Sequence, residues 1–322
     1  MATNNWKWSL HDAVLEIGEG IWQLDLGFQG RKGIISAYLL AGGDEVALIE
    51  TGPSSTLANL EAVLESIGLE ISNIARVLVT HIHLDHAGAA GVLARENPNL
   101  IVHVHPFGIP HMIDPTKLVS SASRIYGDQM DLLWGEIAPV SEHQTAPFYD
   151  DSQILMAGRF LSVMFTPGHA WHHVAIFDPQ SGSVFTGDIA GIRMPGMTYV
   201  CPPTPPPDLD PDAWSASVAK LKKLNAQTLC LTHFGVFDDV DAHLSQIAPN
   251  LNRFVRIGEE NLATSVEPET LTEPVHQQMA ADLDSDDPEV LASYEMATPS
   301  YMAAMGLTRY LKQRTERAAG AS

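Results

Sequence analysis

The stretch Val79-Thr80-His81-Ile82-His83-Leu84-Asp85-His86-Ala87-Gly88 decides how the rest of the chain is read. Its polar core, His81, His83, Asp85 and His86, is packed into six residues. Ahead of it, residues 74–80 are apolar and β-branched, the pattern of a buried strand. Behind it, residues 87–95 are rich in alanine and read as a helix despite their glycines. The four polar groups therefore sit on a turn at the carboxyl end of a strand, where open α/β architectures place their sites. Imidazole and carboxylate are donors that zinc accepts. In an extended turn His81 and His83 point the same way, because side chains alternate with period two. Asp85 and His86 lie where the chain bends into the helix, and face a second point a little further on. The spacing suits two metals side by side. A lone histidine here would be an ordinary polar surface residue; the quartet argues otherwise.

Working outward, residues 13–17, 20–26, 34–40 and 45–50 are short apolar or alternating runs punctuated by glycines, an antiparallel meander. A helix is predicted from Ser54 or Ser55 to Ile67, and another strand over 100–105. Over 106–149 the strand alternation is lost, and a helix is predicted over 117–134. This segment reads as an insertion over the site, either a lid or an oligomer contact. Strand signals return at 154–156, 160–165, 173–177, 184–186 and 227–232. A proline-rich run over 201–208 is a stiff, extended loop. A helix starts near Asp210, and beyond Asp239 the pattern is helical, with segments over 267–279 and 288–317. The β-then-α order occurs twice, which predicts an α/β sandwich of two mixed sheets with helices outside.

Composition narrows the function. The 322 residues carry 39 acidic against 18 basic side chains, a formal net charge of −21. A phosphate-binding face needs an excess of Lys and Arg, so nucleic acid is not an expected partner, nor is an anionic membrane. The two cysteines, Cys201 and Cys230, form no CxxC pair and are expected to be reduced. Residues 1–11 contain no uninterrupted apolar run, and no stretch approaches the roughly 20 apolar residues of a membrane span. A cytoplasmic location is the expectation.

Three later points repeat the logic of a strand ending in a ligand. Phe165-Thr-Pro-Gly leads to His169, Val184-Phe-Thr-Gly to Asp188, and Leu229-Cys-Leu-Thr to His233. Each alone is weak. With the quartet they make seven groups, about what two zinc ions sharing a hydroxide need. No Gly-x-Ser-x-Gly elbow is present.

As a set, these motifs resemble the metallo-β-lactamase-fold hydrolase superfamily over residues 13–235. The resemblance implies an αββα sandwich, with a catalytic domain over 1–240 that includes the 106–149 insertion, and a helical C-terminal extension over 241–322 packed on it. It implies that His81, His83 and His169 hold one metal, that Asp85, His86 and His233 hold the other, and that Asp188 bridges them. Two Zn²⁺ are expected; Mn²⁺, Fe²⁺ and Co²⁺ accept the same ligands. Many members end the strand before the first helix in Asp-x-Gly, and that Asp supports the ligands. Here the run is Ile49-Glu50-Thr51-Gly52, and Glu50 is assigned the supporting role through a hydrogen bond to a ligand imidazole. His173 matches a position often occupied by a histidine that is not a ligand, and is assigned a buried, hydrogen-bonded role.

The chemistry implied is attack of a metal-activated hydroxide on a carbonyl, with Asp85 carrying a proton to the leaving group. Lactone hydrolysis, on an N-acyl homoserine lactone-like substrate, leads among the family's activities. A bridging Asp188 weakens a class B β-lactamase reading, although β-lactamase or promiscuous esterase activity stays an alternative. A glyoxalase II-like thioesterase would employ Lys312, Arg314 and Arg317. A persulfide dioxygenase-like oxidoreductase would need only one iron, and the full second ligand set argues against it. Met112, Tyr126, Met130 and Trp134 in the insertion, and Met194 and Met197 after Asp188, are candidates for an apolar acyl pocket. Tyr199 is a candidate phenol contacting the carbonyl. The expected partner is a small-molecule substrate, with the insertion also a candidate homodimer surface.

Overall fold

A computed structural model describes residues 6–262 and 267–320, so the extreme ends of the 1–240 and 241–322 scheme lie outside the described residues. The first sheet is built from β1 (Val14–Gly18), β2 (Ile21–Asp25), β3 (Ser36–Gly42), β4 (Glu45–Ile49), β5 (Ile74–Leu78), β6 (Ile101–Val104) and β7 (Thr145–Pro147), in chain order. The second contains β8 (Ser152–Met156), β9 (Arg159–Phe165), β10 (Val174–Asp178), β11 (Ser183–Gly187), β12 (Thr228–Leu231) and β13 (Gly235–Phe237), ordered β13-β12-β11-β10-β9-β8. Strands β1 to β4 pair antiparallel and β4 to β7 parallel. In the second sheet only β11 and β12 pair in parallel. Both sheets are therefore mixed. The edge strands β7 and β13 are absent from the sequence-based expectation, because runs of three residues are too short to show alternation.

Period two sorts each strand between two cores. Ala47 and Ile49 of β4, Phe185 of β11 and Cys230 of β12 belong to the cluster between the sheets. Their neighbours Leu48, Val184, Leu229 and Leu231 belong to the outer cluster, which includes Leu60 and Val63 of the helix Leu57–Ser66 and Trp214 and Val218 of the helix Pro211–Lys222. Strands covered on both faces read as continuous apolar runs, as these do. The outer cluster continues into the C-terminal helices through Ile247, Phe254, Val275, Tyr294 and Leu307. Cys201 and Cys230 are buried and free. No helix among the described residues is long and apolar enough to cross a membrane.

Two predicted helices are broken, and both breaks matter for the site. The segment expected over 117–134 is Thr116–Tyr126 and Met130–Leu133, interrupted at Gly127, whose φ of 50° and ψ of −127° no helix accommodates. The segment expected over 288–317 is Pro288–Ala297 and Ser300–Gly320. Pro299 forces the break, because the residue before a proline is pushed out of the α region; Thr298 sits at φ −144°, ψ 83°.

Candidate metal centre

Four strand ends converge on one rim of the sandwich. The turn after β5 carries His81 and His83, and the short helix Leu84–Ala87 carries Asp85 and His86. The segments after β9, β11 and β12 carry His169, Asp188 and His233. The fold thus brings all seven side chains together. His83 Nδ1 lies 2.9 Å from His81 Nε2 and 3.0 Å from His169 Nε2. Across from this triad, His233 Nε2 lies 3.2 Å from Asp85 Oδ2, and His86 Nε2 lies 3.3 Å from Asp188 Oδ1. The other oxygen of Asp188, Oδ2, lies 3.3 Å from His169 Nε2. Asp188 therefore stands between the two groups and reaches both.

These donors fit a divalent cation. His86 Nε2, His233 Nε2 and Asp188 Oδ1 are buried and have no hydrogen-bond partner. Each unpaired buried polar atom costs about 1–3 kcal/mol, so three facing one space are a strong demand for a shared ligand. The distal imidazole nitrogens, by contrast, are anchored. His86 Nδ1 bonds Glu50 Oε1 at 3.0 Å, His169 Nδ1 bonds the Pro203 carbonyl at 3.0 Å, and His233 Nδ1 bonds the Ile34 carbonyl at 2.7 Å. His81 Nδ1 lies 3.1 Å from Thr80 Oγ1. Donation from the far nitrogen fixes the tautomer and leaves the near lone pair for a metal.

Glu50 organises this outer layer. Fully buried and at φ 64°, its carboxylate accepts from Thr80 N at 3.2 Å, from the Thr80 and Thr232 hydroxyls, and from His86. The longer side chain thus reaches a ligand imidazole, and touches His81 indirectly through Thr80. A left-handed backbone at a non-glycine residue is uncommon, and such outliers cluster at functional sites. His173 is not among the converging donors. Its Nε2 accepts from Asp188 N–H at 3.1 Å and its Nδ1 meets Thr166 Oγ1 at 2.8 Å, so it holds the backbone that presents the shared carboxylate.

Electrostatics divides the centre. Burial, and then the neighbouring imidazoles, hold His81 and His83 well below the usual histidine range; burial also lowers His169. Those rings are neutral at pH 7, as ligands must be. Burial would depress His86 too, but Asp188, Asp85 and Glu50 outweigh it and raise the ring well above its ordinary value. His233 is raised likewise by Asp188 and Asp85 against burial. Burial opposes ionisation of Asp85, yet His86 and His233 bring it down to about 2. Burial opposes ionisation of Asp188 as well, yet His86, His169 and His233 hold it well below the usual carboxylate range, so both carboxylates stay charged.

The centre opens into two lobes. Both are open to solvent, and their volumes include that open space; one, of about 790 Å³, is bordered by His83, Asp188, Leu118, Ile125, Pro205 and Met302. The other, of about 1110 Å³, is bordered by His233, Phe28, Gln29, Gln129, Glu295 and Tyr301. Asp85, Tyr126, Trp134, Ala297 and Pro299 border both and divide them. Trp134 stacks on Phe28 with ring centroids 5.9 Å apart and meets Tyr126 edge-on at 5.0 Å.

Of the residues expected to form an acyl pocket, only Tyr126 and Trp134 border the lobes. Met112 and Met194 lie in the core, and Met130 and Met197 pack half-buried against it. The loop after Asp188 is covered rather than exposed, because Tyr294 hydrogen-bonds both Met194 N and the Tyr199 carbonyl. The same covering removes Tyr199 from the centre. Its ring packs 5.6 Å from that of Tyr294, and its buried hydroxyl has no hydrogen-bond partner. Lys312, Arg314 and Arg317 border neither lobe, and Arg314 pairs with Glu259 at 2.6 Å. The walls missed from sequence include Phe28 and Gln29, Pro203 and Pro205 to Pro207, and Ala297 to Pro299. Among them the proline-rich run was legible as a stiff loop, though not as a wall.

The model of the metallo-beta-lactamase superfamily matches residues 30–233. The chain belongs to the metallo-beta-lactamase superfamily. It is thus a member of a superfamily of metal-dependent hydrolases that bind divalent metals through His/Asp clusters such as this one. It is 22% identical over 218 residues to the metallo-beta-lactamase fold-containing protein ST1585 of Sulfurisphaera tokodaii, covering 66% of this chain and 78% of that one. It is 30% identical over 179 residues to the lactamase-like protein adaB of Aspergillus niger, covering 54% of this chain and 45% of the relative. With a hydroxyacylglutathione hydrolase of Synechococcus it shares 27% identity over 153 residues, 47% of each chain. The chain therefore spans about half the length of these last two relatives. The crystal structure of the metallo-beta-lactamase family protein TTHA1429 from Thermus thermophilus superposes with a TM-score of 0.65 at 21% identity, covering 93% of this chain and 95% of that one. At that coverage the shared fold takes in C-terminal helices as well as the sandwich.

Proposed function

We propose that this superfamily member hydrolyses a carboxylic ester-type bond in a small molecule carrying an apolar acyl group, a lactone being the leading case. Two divalent cations, zinc first among them, are assigned to the centre: one to His81, His83 and His169, the other to Asp85, His86 and His233, with Asp188 between them. The observation that carries the reading is the convergence of these donors, with buried atoms lacking any other partner, at the floor of an apolar cleft. Bound there, such cations supply hydroxide at neutral pH and polarise a carbonyl. The chain's own groups do the rest. Asp85, ionised and bordering both lobes, is placed to pass a proton to the departing oxygen or sulfur. Tyr126 and Trp134 wall off bulk water. In balance, water supplies the new acid oxygen and the proton of the released alcohol or thiol.

A thioester is the second reading. Two relatives are named a hydroxyacylglutathione hydrolase and an atrochrysone carboxyl ACP thioesterase. Against glutathione as the carrier stands the absence of Lys or Arg from the described borders of either lobe. The test is turnover by zinc-loaded protein of a long-chain acyl homoserine lactone against S-lactoylglutathione. Faster lactone hydrolysis, lost in His83→Ala, is the expected result. Preference for the glutathione thioester would overturn the lactone reading. Inactivity on both, with metal content verified, would overturn the ester-bond class.

A further inference from the structure

Resting on the ester-hydrolase reading, we infer that the two lobes take the two halves of one substrate: an apolar acyl arm beside His83 and His169, and a neutral or cationic leaving group beside His233. The lobes differ in chemistry. Leu118, Ala122, Ile125, Pro205 and Met302 make the first almost wholly apolar, with Ser121 and Thr298 the polar exceptions outside the centre itself. Such a wall rewards buried hydrocarbon and offers little to a hydrogen-bonding group. The second adds Gln29, Gln129, Glu295 and Tyr301 to its apolar members.

Charge discriminates further. Asp85 and Asp188 are assigned to the cations, which outweigh their charge; histidines aside, the charged side chain left on the described borders of the two lobes is Glu295, in the second lobe, and it is acidic. Glu295 is held in place: Ser300 N donates to Oε2 at 2.9 Å, the Ser300 hydroxyl donates to Oε1, and His276 Nδ1 meets Oε1 at 2.7 Å. It caps the helix Ser300–Gly320, so its carboxylate cannot swing away from an incoming anion without uncapping that helix. His276 does not border the lobe. A carboxylate-bearing carrier placed there meets a fixed negative charge with no compensating Lys or Arg, whereas a hydroxyl-bearing or ammonium group meets acceptors. The divider is made of Tyr126 and Trp134 from one side and Ala297 and Pro299 from the other, with Asp85 at its foot. The scissile carbonyl therefore belongs at the divider, over the centre, with the hydrocarbon arm carried on its acyl side in the first lobe and the group carried on its leaving oxygen, a separate chain in an open ester and the far side of the ring in a lactone, facing the second.

The experiment uses the metal-loaded chain and butanoyl and dodecanoyl esters of choline, glycerol and glycolate. The expected kcat/KM for choline and glycerol esters is about tenfold or more above that for glycolate esters of the same acyl chain. Two plugs at accessible wall positions separate the arms. Ser121→Trp is expected to lower dodecanoyl turnover about tenfold relative to butanoyl while keeping the order of leaving groups. Ala292→Trp is expected to compress the leaving-group ratios while keeping the chain-length ratio. Glycolate esters turned over as well as choline esters, or plugs with interchangeable effects, would overturn the assignment and leave the hydrolase reading standing. If no ester is turned over, the hydrolase reading falls, and calorimetric titration with decyltrimethylammonium decides the cleft. Binding weakened by both plugs then supports a two-armed site, and no binding, or binding indifferent to them, overturns it.

Discussion

The floor of the cleft and its walls are built in different ways. The floor gathers seven side chains, each a few residues beyond a strand end and most of them anchored by a second contact. The walls gather short pieces from the loop after β2, the insertion, the proline-rich loop and the break before the last helix. Strand ends are fixed by ladders on both sides, so donors placed there need one further contact each to hold position, and Glu50, Pro203 and Ile34 supply it for His86, His169 and His233. Loops and helix breaks take their place only from what they pack against. In the proposed function the floor sets the chemistry, and the walls set what is admitted to it.

The sharpest contrast comes from removing one floor residue. His83→Ala is expected to lower kcat/KM by about 10³-fold, the scale of losing an electrostatic stabiliser, with metal content falling in elemental analysis. Retained metal with retained turnover would break the assignment of the floor.

The loop after β2 serves both regions, and Asp25 pins it. Its carboxylate accepts from Gly27 N at 3.0 Å and Gly33 N at 2.8 Å, which closes the loop that carries Phe28 and Gln29 to the wall and leads to the Ile34 carbonyl bonded by His233. Burial raises its pKa to about 6 from 3.8, despite those two hydrogen bonds. The folded state thus binds a proton that the unfolded state releases. The stabilisation is complete below pH 4 and is lost as pH rises through about 6, a loss of about 3 kcal/mol. Urea unfolding at pH 4.5 and 7 should show this slope, and Asp25→Asn should flatten it. An unchanged slope in the variant would detach Asp25 from the effect.

Glu50→Gln keeps the size of the side chain but weakens its bonds to His86 and Thr80. A 10- to 100-fold loss of metal affinity, read by chelator competition, is about what such supporting contacts contribute. Equal affinity would show that the floor stands on its ligands alone. The smallest effect is expected at Tyr199→Phe. Turnover should change less than about threefold, and stability should rise by up to about 1 kcal/mol as a buried hydroxyl without a hydrogen-bond partner is removed. A large loss of turnover would return Tyr199 to the centre.

The residues themselves explain why legibility differed. His81, His83, Asp85 and His86 announce themselves because they are adjacent in sequence and lie between a strand and a helix. His169, Asp188 and His233 are far apart, yet each follows an apolar run and a turn, so local pattern located them. Tyr199 and Met194 follow Asp188 closely and resembled pocket residues for that reason; the helix Pro288–Ala297, about a hundred residues later, covers them instead. The segment over 288–317 was expected to be helical throughout; its break at Thr298-Pro299, and the place of that break on the cleft wall, came from the structure.

Sequence by itself determined the sandwich, where along the chain its strands lie apart from two short edges, and the donor set, because backbone periodicity and ligand spacing are local properties. Tertiary structure alone decided which ligand imidazole Glu50 reaches, that Tyr294 covers Met194 and Tyr199, and that the cleft has two lobes. Those depend on distances between segments far apart in the chain, which packing sets and no local pattern encodes.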